Sequence, residues 1–495
     1  MKRSGDNFRY KKLSEEIEAK IRNGTYRPGE KLPSIRKLHR DLQLSITTIY
    51  QAYAQLERMG LVTAKPKSGY YANAVSLSQL KTPLFKRAPM TPGRVKLDDM
   101  VGSVVTAINT PGMIPFGSSA TAPELLPHRP LSRILKSITA ERMRSLTNYA
   151  LPEGSQELRR QITLRTIGAM EGVMASDILI TNGCMEALSL SLQAVTRPGD
   201  TVAIETPTHF GFLQLLKALG LLVVEVPTNP VTGIDVDELA DLIARIPVHA
   251  CLLMPNFHNP LGARMPDAHK ERLVELVTKR DIPIVEDDLC SELFHDGPRP
   301  TSLKNFDTSG RVITCSSFSK TLAPGLRTGW VIAAKPLMER IRRLKAGTTI
   351  ATSTLDQYII CQYLKGGGYE RHLRFLRSAI KRQTTAAALA IQRYFPEGTR
   401  LAPPSGGTLL WVELPPETDG LYLYRLALNE KISILPGIAC DLTGRHTNYI
   451  RLGCGFPFTR KAESAIKTLG KLAKTAGSCP PPGPPPSQPQ HCIKL

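Results

Sequence analysis

Cys315-Ser316-Ser317-Phe318-Ser319-Lys320-Thr321-Leu322-Ala323-Pro324-Gly325-Leu326-Arg327-Thr328-Gly329-Trp330 packs small hydroxyl side chains around a single amine, with a guanidinium seven residues further on. The apolar run Val312-Ile313-Thr314 before it predicts a short buried strand. A lysine delivered off the end of such a strand, among hydroxyls, suits a Schiff base to an aldehyde cofactor. Ser317, Ser319 and Arg327 are then donors for that cofactor's phosphate. A lone lysine in a serine-rich turn is more often a solvated surface group, so the surrounding chain has to decide.

Upstream, helical and extended patterns alternate. Helices are predicted over 131–144, 155–171, 185–196, 210–219, 236–245 and 266–280, and strands over 178–180, 201–204, 222–226, 250–254 and 283–285. The strands are short and aliphatic, as parallel strands buried on both faces are, which predicts an α/β sheet with helices on both sides. Ligands of such sheets sit at the carboxyl ends of the strands. After the first strand, Asn182-Gly183-Cys184-Met185 opens a helix whose N-terminus can offer N–H groups to a phosphate. After the second, His209 can lay a flat side chain on a ring, and after the fourth Asn259 offers an amide to a ring hydroxyl. After the fifth, Glu286-Asp287-Asp288 presents a carboxylate. A Schiff-base lysine, a carboxylate for a pyridine nitrogen, an oxygen partner, a ring stack and a phosphate cup are the requirements of pyridoxal 5'-phosphate. Each has an innocent reading, Asp287 as a helix cap or His209 as a core residue. Their order at successive strand ends favours the cofactor.

From about residue 114 to 470 the chain resembles the fold-type I aminotransferases, through His258-Asn259-Pro260-x-Gly262, Glu286-Asp287-Asp288, Ser317-Phe318-Ser319-Lys320 and Gly325-Leu326-Arg327-x-Gly329. The resemblance implies that Lys320 carries the cofactor, that Asp287 pairs with its pyridine nitrogen, and that Asn259 meets its ring hydroxyl. It also implies that Ser317 and Arg327 bind the phosphate. Asn448-Tyr449-Ile450-Arg451-Leu452-Gly453 matches the family segment whose arginine grips a substrate carboxylate, a role that suits the bidentate fork of Arg451. There are departures. Leu289 and Cys290 stand where the family usually has a tyrosine, Cys184 and Met185 replace hydroxyl or amide side chains in the phosphate turn, and His209 replaces a stacking tyrosine. The lysine and carboxylate remain, so the cofactor is expected to bind while any transamination is slow. A smaller α+β part follows: strands over 408–414, 432–434 and 450–452, and a helix over 421–430.

The first 76 residues differ in character. They hold 15 Lys/Arg against 7 Asp/Glu, in a chain whose formal charge of +21 already suggests a polyanionic partner. Apolar positions Leu13, Ile17 and Ile21 predict a helix from Tyr10 to Asn23, stopped by Gly24 and Pro28-Gly29. A second helix starts near Pro33-Ser34-Ile35-Arg36, and a third at Ser45 runs to Gly60. Two strand-like pieces, 61–64 and 69–72, flank the basic turn Lys65-Pro66-Lys67. Three helices and a basic hairpin predict a mainly α winged helix-turn-helix whose third helix enters the major groove of double-stranded DNA. Ser45, Thr47, Thr48, Tyr50 and Gln51 are the candidate readers; Ser34, Arg36, Lys65 and Lys67 are candidate phosphate contacts. Leu32-Pro33-Ser34-Ile35-Arg36 and Ala52-Tyr53-x-x-Leu56-Glu57-x-x-Gly60-Leu61 resemble the GntR-type DNA-binding domain, with Ile46 where that family often has a basic residue.

The expected division is a DNA-binding domain at 1–76, a linker at 77–112 in which 97–108 can form a short helix, a cofactor-binding domain at 113–475, and a Pro-rich disordered tail at 476–495. Nine scattered cysteines without a C-x-x-C pair argue for reduced thiols and no metal site. The polar start Met1–Asp6 and the lack of a long apolar run argue against a signal peptide or a membrane span. A GntR-type head on an aminotransferase-like body resembles the MocR family of bacterial transcription regulators. That resemblance implies a cytoplasmic regulator, on the nucleoid when DNA-bound, that pairs head to tail as a homodimer. It would sense an amino acid, an amine or the cofactor itself at Lys320. The other reading is a working aminotransferase whose head is only a DNA tether.

Overall fold

The structure, a computed structural model, describes residues 4–22, 25–26, 29–58, 61–65, 68–72, 80–85, 91–95 and 100–478. Gly60 and Lys67 of the expected head lie outside these, as do residues 479–495 of the expected Pro-rich tail; its first three residues, 476–478, instead end the last helix of the body, where Ala476 is buried.

The head has helices α1 (Ser4–Arg22), α2 (Ile35–Leu42) and α3 (Ile46–Arg58), then an antiparallel hairpin of β1 (Val62–Lys65) and β2 (Gly69–Ala72). The apolar spacing in α1 has its expected consequence: Leu13, Ile17 and Ile21 are buried against Ile49, Ala52, Tyr53 and Leu56 of α3. Tyr53 stacks on Tyr70 of the hairpin with ring centroids 4.3 Å apart, fixing the wing to the third helix. α1 also touches the body, where Arg393 pairs with Glu18 at 3.2 Å.

The body begins with α4 (Met100–Asn109), β3 (Ile114–Pro115), α5 (His128–Lys136), α6 (Ala140–Leu146) and α7 (Gln156–Thr166). Next come β4 (Ile178–Thr181), α8 (Cys184–Val195), β5 (Thr201–Thr206), α9 (Phe210–Ala218), β6 (Leu222–Asn229), β7 (Gly233–Ile234), α10 (Val236–Arg245), β8 (Ala250–Leu253), α11 (Asp267–Lys279), β9 (Ile284–Asp287), β10 (Val312–Ser317) and β11 (Gly329–Ile332). These strands form one sheet of eight in the order β4-β11-β10-β9-β8-β5-β6-β7. Alternate strand residues enter two different cores, Val202 and Ile204 on one face and Ala203 on the other, so helices cover both sides as the aliphatic runs predicted. The sheet is not wholly parallel. β11, which the sequence reading did not identify as a strand, runs antiparallel between β10 and β4.

Two expected helices are corrected. The single helix 131–144 is split into α5 and α6, because Thr139 turns its side chain to accept the Arg142 N–H and starts a new helix. The helix expected over 155–171 stops at Thr166, where Ile167 leaves the helical conformation at ψ 127° and Gly168 takes φ +78°.

The chain closes with α12 (Lys335–Ala346), α13 (Thr354–Lys365), the 27-residue α14 (Gly368–Tyr394), β12 (Arg400–Leu401), β13 (Leu409–Glu413), α15 (Gly420–Asn429), β14 (Ile432–Ser433), β15 (Leu435–Pro436), β16 (Tyr449–Gly453) and α16 (Arg460–Ser478). β12, β13, β16 and β15 make an antiparallel sheet, and β14 pairs with β3, which brings residues 114–119 beside the main sheet's strand ends. Described pieces of the segment read as a spacer pack on this body. Val104 is buried in its core, and Gly93 exchanges two backbone hydrogen bonds with Val223.

Candidate cofactor site and DNA-reading face

β10 is three residues longer than its apolar run suggested and carries Ser316 and Ser317 into the sheet before releasing Lys320. The Lys320 amine donates to the Ser119 carbonyl at 2.9 Å and to its hydroxyl at 3.1 Å, while Thr121 Oγ1 donates to the Lys320 carbonyl at 2.6 Å. Burial, with the charge of Arg451, lowers the lysine's pKa against the opposing pull of Cys290 and Asp287. Ser119 and Thr121 escaped the sequence reading. They lie about two hundred residues before the lysine, and no local pattern marks them.

A cavity of about 190 Å³ opens at these strand ends. Lys320, Asp287, Asn259, His209, Cys184, Met185, Ser317, Ser319 and Arg327 all line it, and so does Cys290. The Asp287 carboxylate sits at the end of β9 and accepts the Leu289 N–H at 3.0 Å and the Cys184 thiol at 3.7 Å. Burial lifts its pKa to about 7. The Cys184 side chain therefore attends the carboxylate, and only its main chain is left to the phosphate turn. Burial pushes the Cys290 thiol up to about 12, so it stays protonated where a tyrosine was expected.

The phosphate turn has the shape of a cradle. Among the described residues no side chain caps α8, so its first N–H groups lack both an intrahelical and a side-chain partner there. Gly183 there has φ +86°, and a Cβ on it would lie 2.3 Å from Arg327 Nη2. Gly329 is similarly tight: a Cβ would lie 2.7 Å from the Ser316 carbonyl and 2.6 Å from the Gly183 backbone. Glycines at 183 and 329 thus let β11 and Arg327 close on the helix N-terminus. Uncapped amides, a guanidinium and hydroxyls are a donor set for a phosphate, and Lys320 and Asp287 supply an amine and a carboxylate in the same cavity. The residues present fit pyridoxal phosphate.

His209 Nδ1 accepts the Gly211 N–H at 2.7 Å, which leaves its proton on Nε2. Burial, with the nearby Arg451 and Lys320 charges, lowers its pKa to about 3 and keeps it neutral. Arg451, on β16, is only 1% exposed. Its Nη1 donates to Asn259 Oδ1 at 3.0 Å and its Nη2 to the Gly117 carbonyl, while Nε has no hydrogen-bond partner among the described residues. Neither partner is acidic, and Asn259, unlike this arginine, lines the cavity.

In the head, Ser45 caps α3, accepting the Thr48 N–H at 3.1 Å. Ile46, Thr47, Tyr50 and Gln51 are exposed on the helix that follows. Thr48 is a correction: it is 2% exposed, with its hydroxyl 2.7 Å from Ser45 Oγ, so it braces the cap and does not face DNA. Ser34 caps α2 by accepting the Lys37 N–H, beside an exposed Arg36. Lys65 is exposed, its amine 4.5 Å over the Tyr71 ring.

Residues 111–457 match the aminotransferase class I and II family, and residues 9–71 match the bacterial regulatory proteins of the gntR family. Among solved structures, the fold is similar to LysN, the α-aminoadipate aminotransferase of Thermus thermophilus complexed with N-(5'-phosphopyridoxyl)-L-leucine. The TM-score is 0.71 at 28% identity, covering 78% of this chain and 97% of that one. Head and body together define a DNA-binding regulator whose larger domain is of the pyridoxal-phosphate-dependent aminotransferase type. Two Escherichia coli proteins described as HTH-type transcriptional regulators share this layout throughout: YjiR is 35% identical over 94% of this chain and 99% of its own, and YdcR 36% over 94% and 98%. The chain belongs to the MocR type of GntR-family transcriptional regulators.

Proposed function

We propose that this regulator senses an amino acid, an amine or the cofactor itself at the cavity around Lys320, and that occupancy there changes how its heads engage an operator. The observation that carries the reading is Arg451. A guanidinium that is 1% exposed, hydrogen-bonded to an amide oxygen and a carbonyl and paired with no acidic side chain among the described residues, is a charge that a ligand anion would neutralise. A ligand carboxylate that displaces Asn259 from it would satisfy that charge. Burial lowers the Arg451 pKa only to about 10, so it stays charged at neutral pH.

Pyridoxal phosphate, when bound, supplies an aldehyde for an amine and a ring that accepts electrons. Lys320 would hold the aldehyde end, and its lowered pKa favours the neutral amine that can attack a carbonyl. Asp287 would face the pyridine nitrogen, Asn259 the ring hydroxyl and neutral His209 the ring face. Main-chain N–H groups of Gly183, Cys184 and Met185, with Ser317, Ser319 and Arg327, would hold the phosphate. In the head, Ser45, Thr47, Tyr50 and Gln51 would read bases or phosphates, with Ser34, Arg36 and Lys65 on the backbone.

A homodimer, paired head to tail, belongs to this proposal. Tyr149 and Leu151 stand 91% and 74% exposed between α6 and α7, an apolar pair that a second copy would cover. Such a dimer offers two reading helices to two half-sites of a cytoplasmic, nucleoid-held operator. A ligand acts on it only by binding its two arrangements unequally.

The test titrates cofactor-loaded protein with a panel of amino acids and amines, following the cofactor's absorption, DNA affinity and keto-acid release together. Sensing predicts that at least one compound shifts both absorption and DNA affinity with little keto acid formed. Many turnovers with unchanged DNA affinity would instead favour the tethered aminotransferase.

A further inference from the structure

α14 begins beside the lysine. Tyr369 and His372, in its first turns, address the peptide after Lys320 and do not line the cavity. His372 Nε2 lies 2.7 Å from the Thr321 carbonyl, which can only accept, so the ring carries its proton there. The Tyr369 hydroxyl lies 2.7 Å from Thr321 Oγ1 and 2.6 Å from Glu292 Oε2, with one proton to give. Burial works to raise the Glu292 pKa, but the Arg165 and Arg299 charges prevail and hold it below its ordinary value. It is therefore a carboxylate. The tyrosine hydroxyl thus bridges this carboxylate and the Thr321 hydroxyl, its one proton within reach of both oxygens.

The contacts continue to the other pole of the site. Arg165 pairs with Glu292 and sits 4.1 Å over the Tyr369 ring. Arg299 lies 3.6 Å from Glu292 Oε1 and 3.8 Å from Asp288 Oδ2. Asp288 adjoins Asp287 and is itself fixed by Asn256 at 3.0 Å and Ser291 at 2.7 Å. A polar chain thus runs behind the cavity from the residue after Lys320 to the residue after Asp287. Such a network is stiff because every buried charge in it has a partner.

We propose, on the reading that Lys320 and Asp287 hold two ends of one cofactor, that Tyr369 is a positioning residue. Its hydroxyl locks Thr321 to the Glu292–Arg299–Asp288 chain and so fixes the separation of the lysine and the carboxylate. A rigid ring held at both ends tolerates only about 0.5 Å of error in that separation.

Tyr369→Phe removes one oxygen and keeps the ring in place under Arg165. The readouts, on the full chain loaded with pyridoxal phosphate, are the rate of cofactor release into a scavenger and the circular dichroism of the bound cofactor's absorption band. Release is expected to quicken about fivefold, as for one lost hydrogen bond, and the dichroism per bound cofactor to fall. Thr321→Val cuts the same lock from the other side and should reproduce both effects, while Thr321→Ser should restore them. Tyr363→Phe is the matched control, because among the described residues its hydroxyl reaches only the Gly368 carbonyl, at 3.3 Å, and its ring packs on Tyr369. Unchanged release and dichroism in Tyr369→Phe, or the same change in Tyr363→Phe, would overturn the proposal. A wild-type chain that never develops the absorption band would sink the reading of Lys320 first, and this role with it.

Discussion

At the scale of single residues, Lys320 and Asp287 set the chemistry and each can be tested alone. Lys320→Ala should abolish the absorption band that the loaded protein shows; a band that persists means another amine carries the cofactor. Asp287 offers a test without cofactor. Burial lifts its pKa from 3.8 to about 7 in the folded protein. Between those values the folded state holds a proton that the unfolded state releases, so its contribution to stability is full below about pH 4 and lost as pH rises through about 7. Asp287→Asn removes the cost of the buried charge. Cofactor-free Asp287→Asn should therefore melt above wild type at pH 8, with the gap closing toward pH 4. A gap that does not vary with pH would show that Asp287 is not burdened this way. These two residues were legible in the sequence because reactive groups at strand ends follow a pattern. Ser119, which holds the Lys320 amine, was not, because its role depends on β3 pairing with β14 more than three hundred residues away.

At the scale of elements, the head and the sheet teach different lessons. α3 was readable from Ser45, whose cap is the expected one, yet Thr48 was misread because a hydroxyl in a first turn can point either out or back to the cap. Ile46 follows that cap, 54% exposed and uncharged at a position facing solvent. Ile46→Arg should raise affinity for DNA and steepen its salt dependence by about one in log–log slope, one more phosphate being neutralised. An unaltered slope in filter binding across salt would mean that this end of α3 does not approach the backbone. In the sheet, β11 went unseen because Gly329-Trp330-Val331-Ile332 follows a loop broken by Pro324 and Gly325, which leaves no periodicity to read. Its antiparallel placement is what presses Gly329 against Gly183 and closes the phosphate cradle.

At the scale of the whole molecule, a basic head and a cofactor-type body share one chain and touch where α1 meets α14. α14 is about 40 Å long and carries Tyr369 near the lysine at one end and Arg393 at the other, paired with Glu18 of the head. The two functions should still be separable by mutation. Arg36→Ala with Lys65→Ala should weaken DNA binding and flatten its salt slope by about two, leaving the cofactor's absorption unchanged. A changed absorption would mean that the head's surface charges reach the site, and an unchanged slope would remove both residues from the DNA face.

The sequence alone determined the two-part layout, the α/β class of the body and the amine, carboxylate and donor types of the site. Each of these is written in local composition and period: apolar spacing chooses helix or strand, and strand ends receive the polar groups that cores reject. Only the tertiary structure decided which groups share a cavity. It turned the Cys184 thiol to Asp287, buried Arg451 without an acidic partner among the described residues, and tied Tyr369 to Thr321 and Glu292. Those contacts join residues up to hundreds of positions apart, and their existence follows from how the sheets and helices close around one another, which no short window of sequence contains.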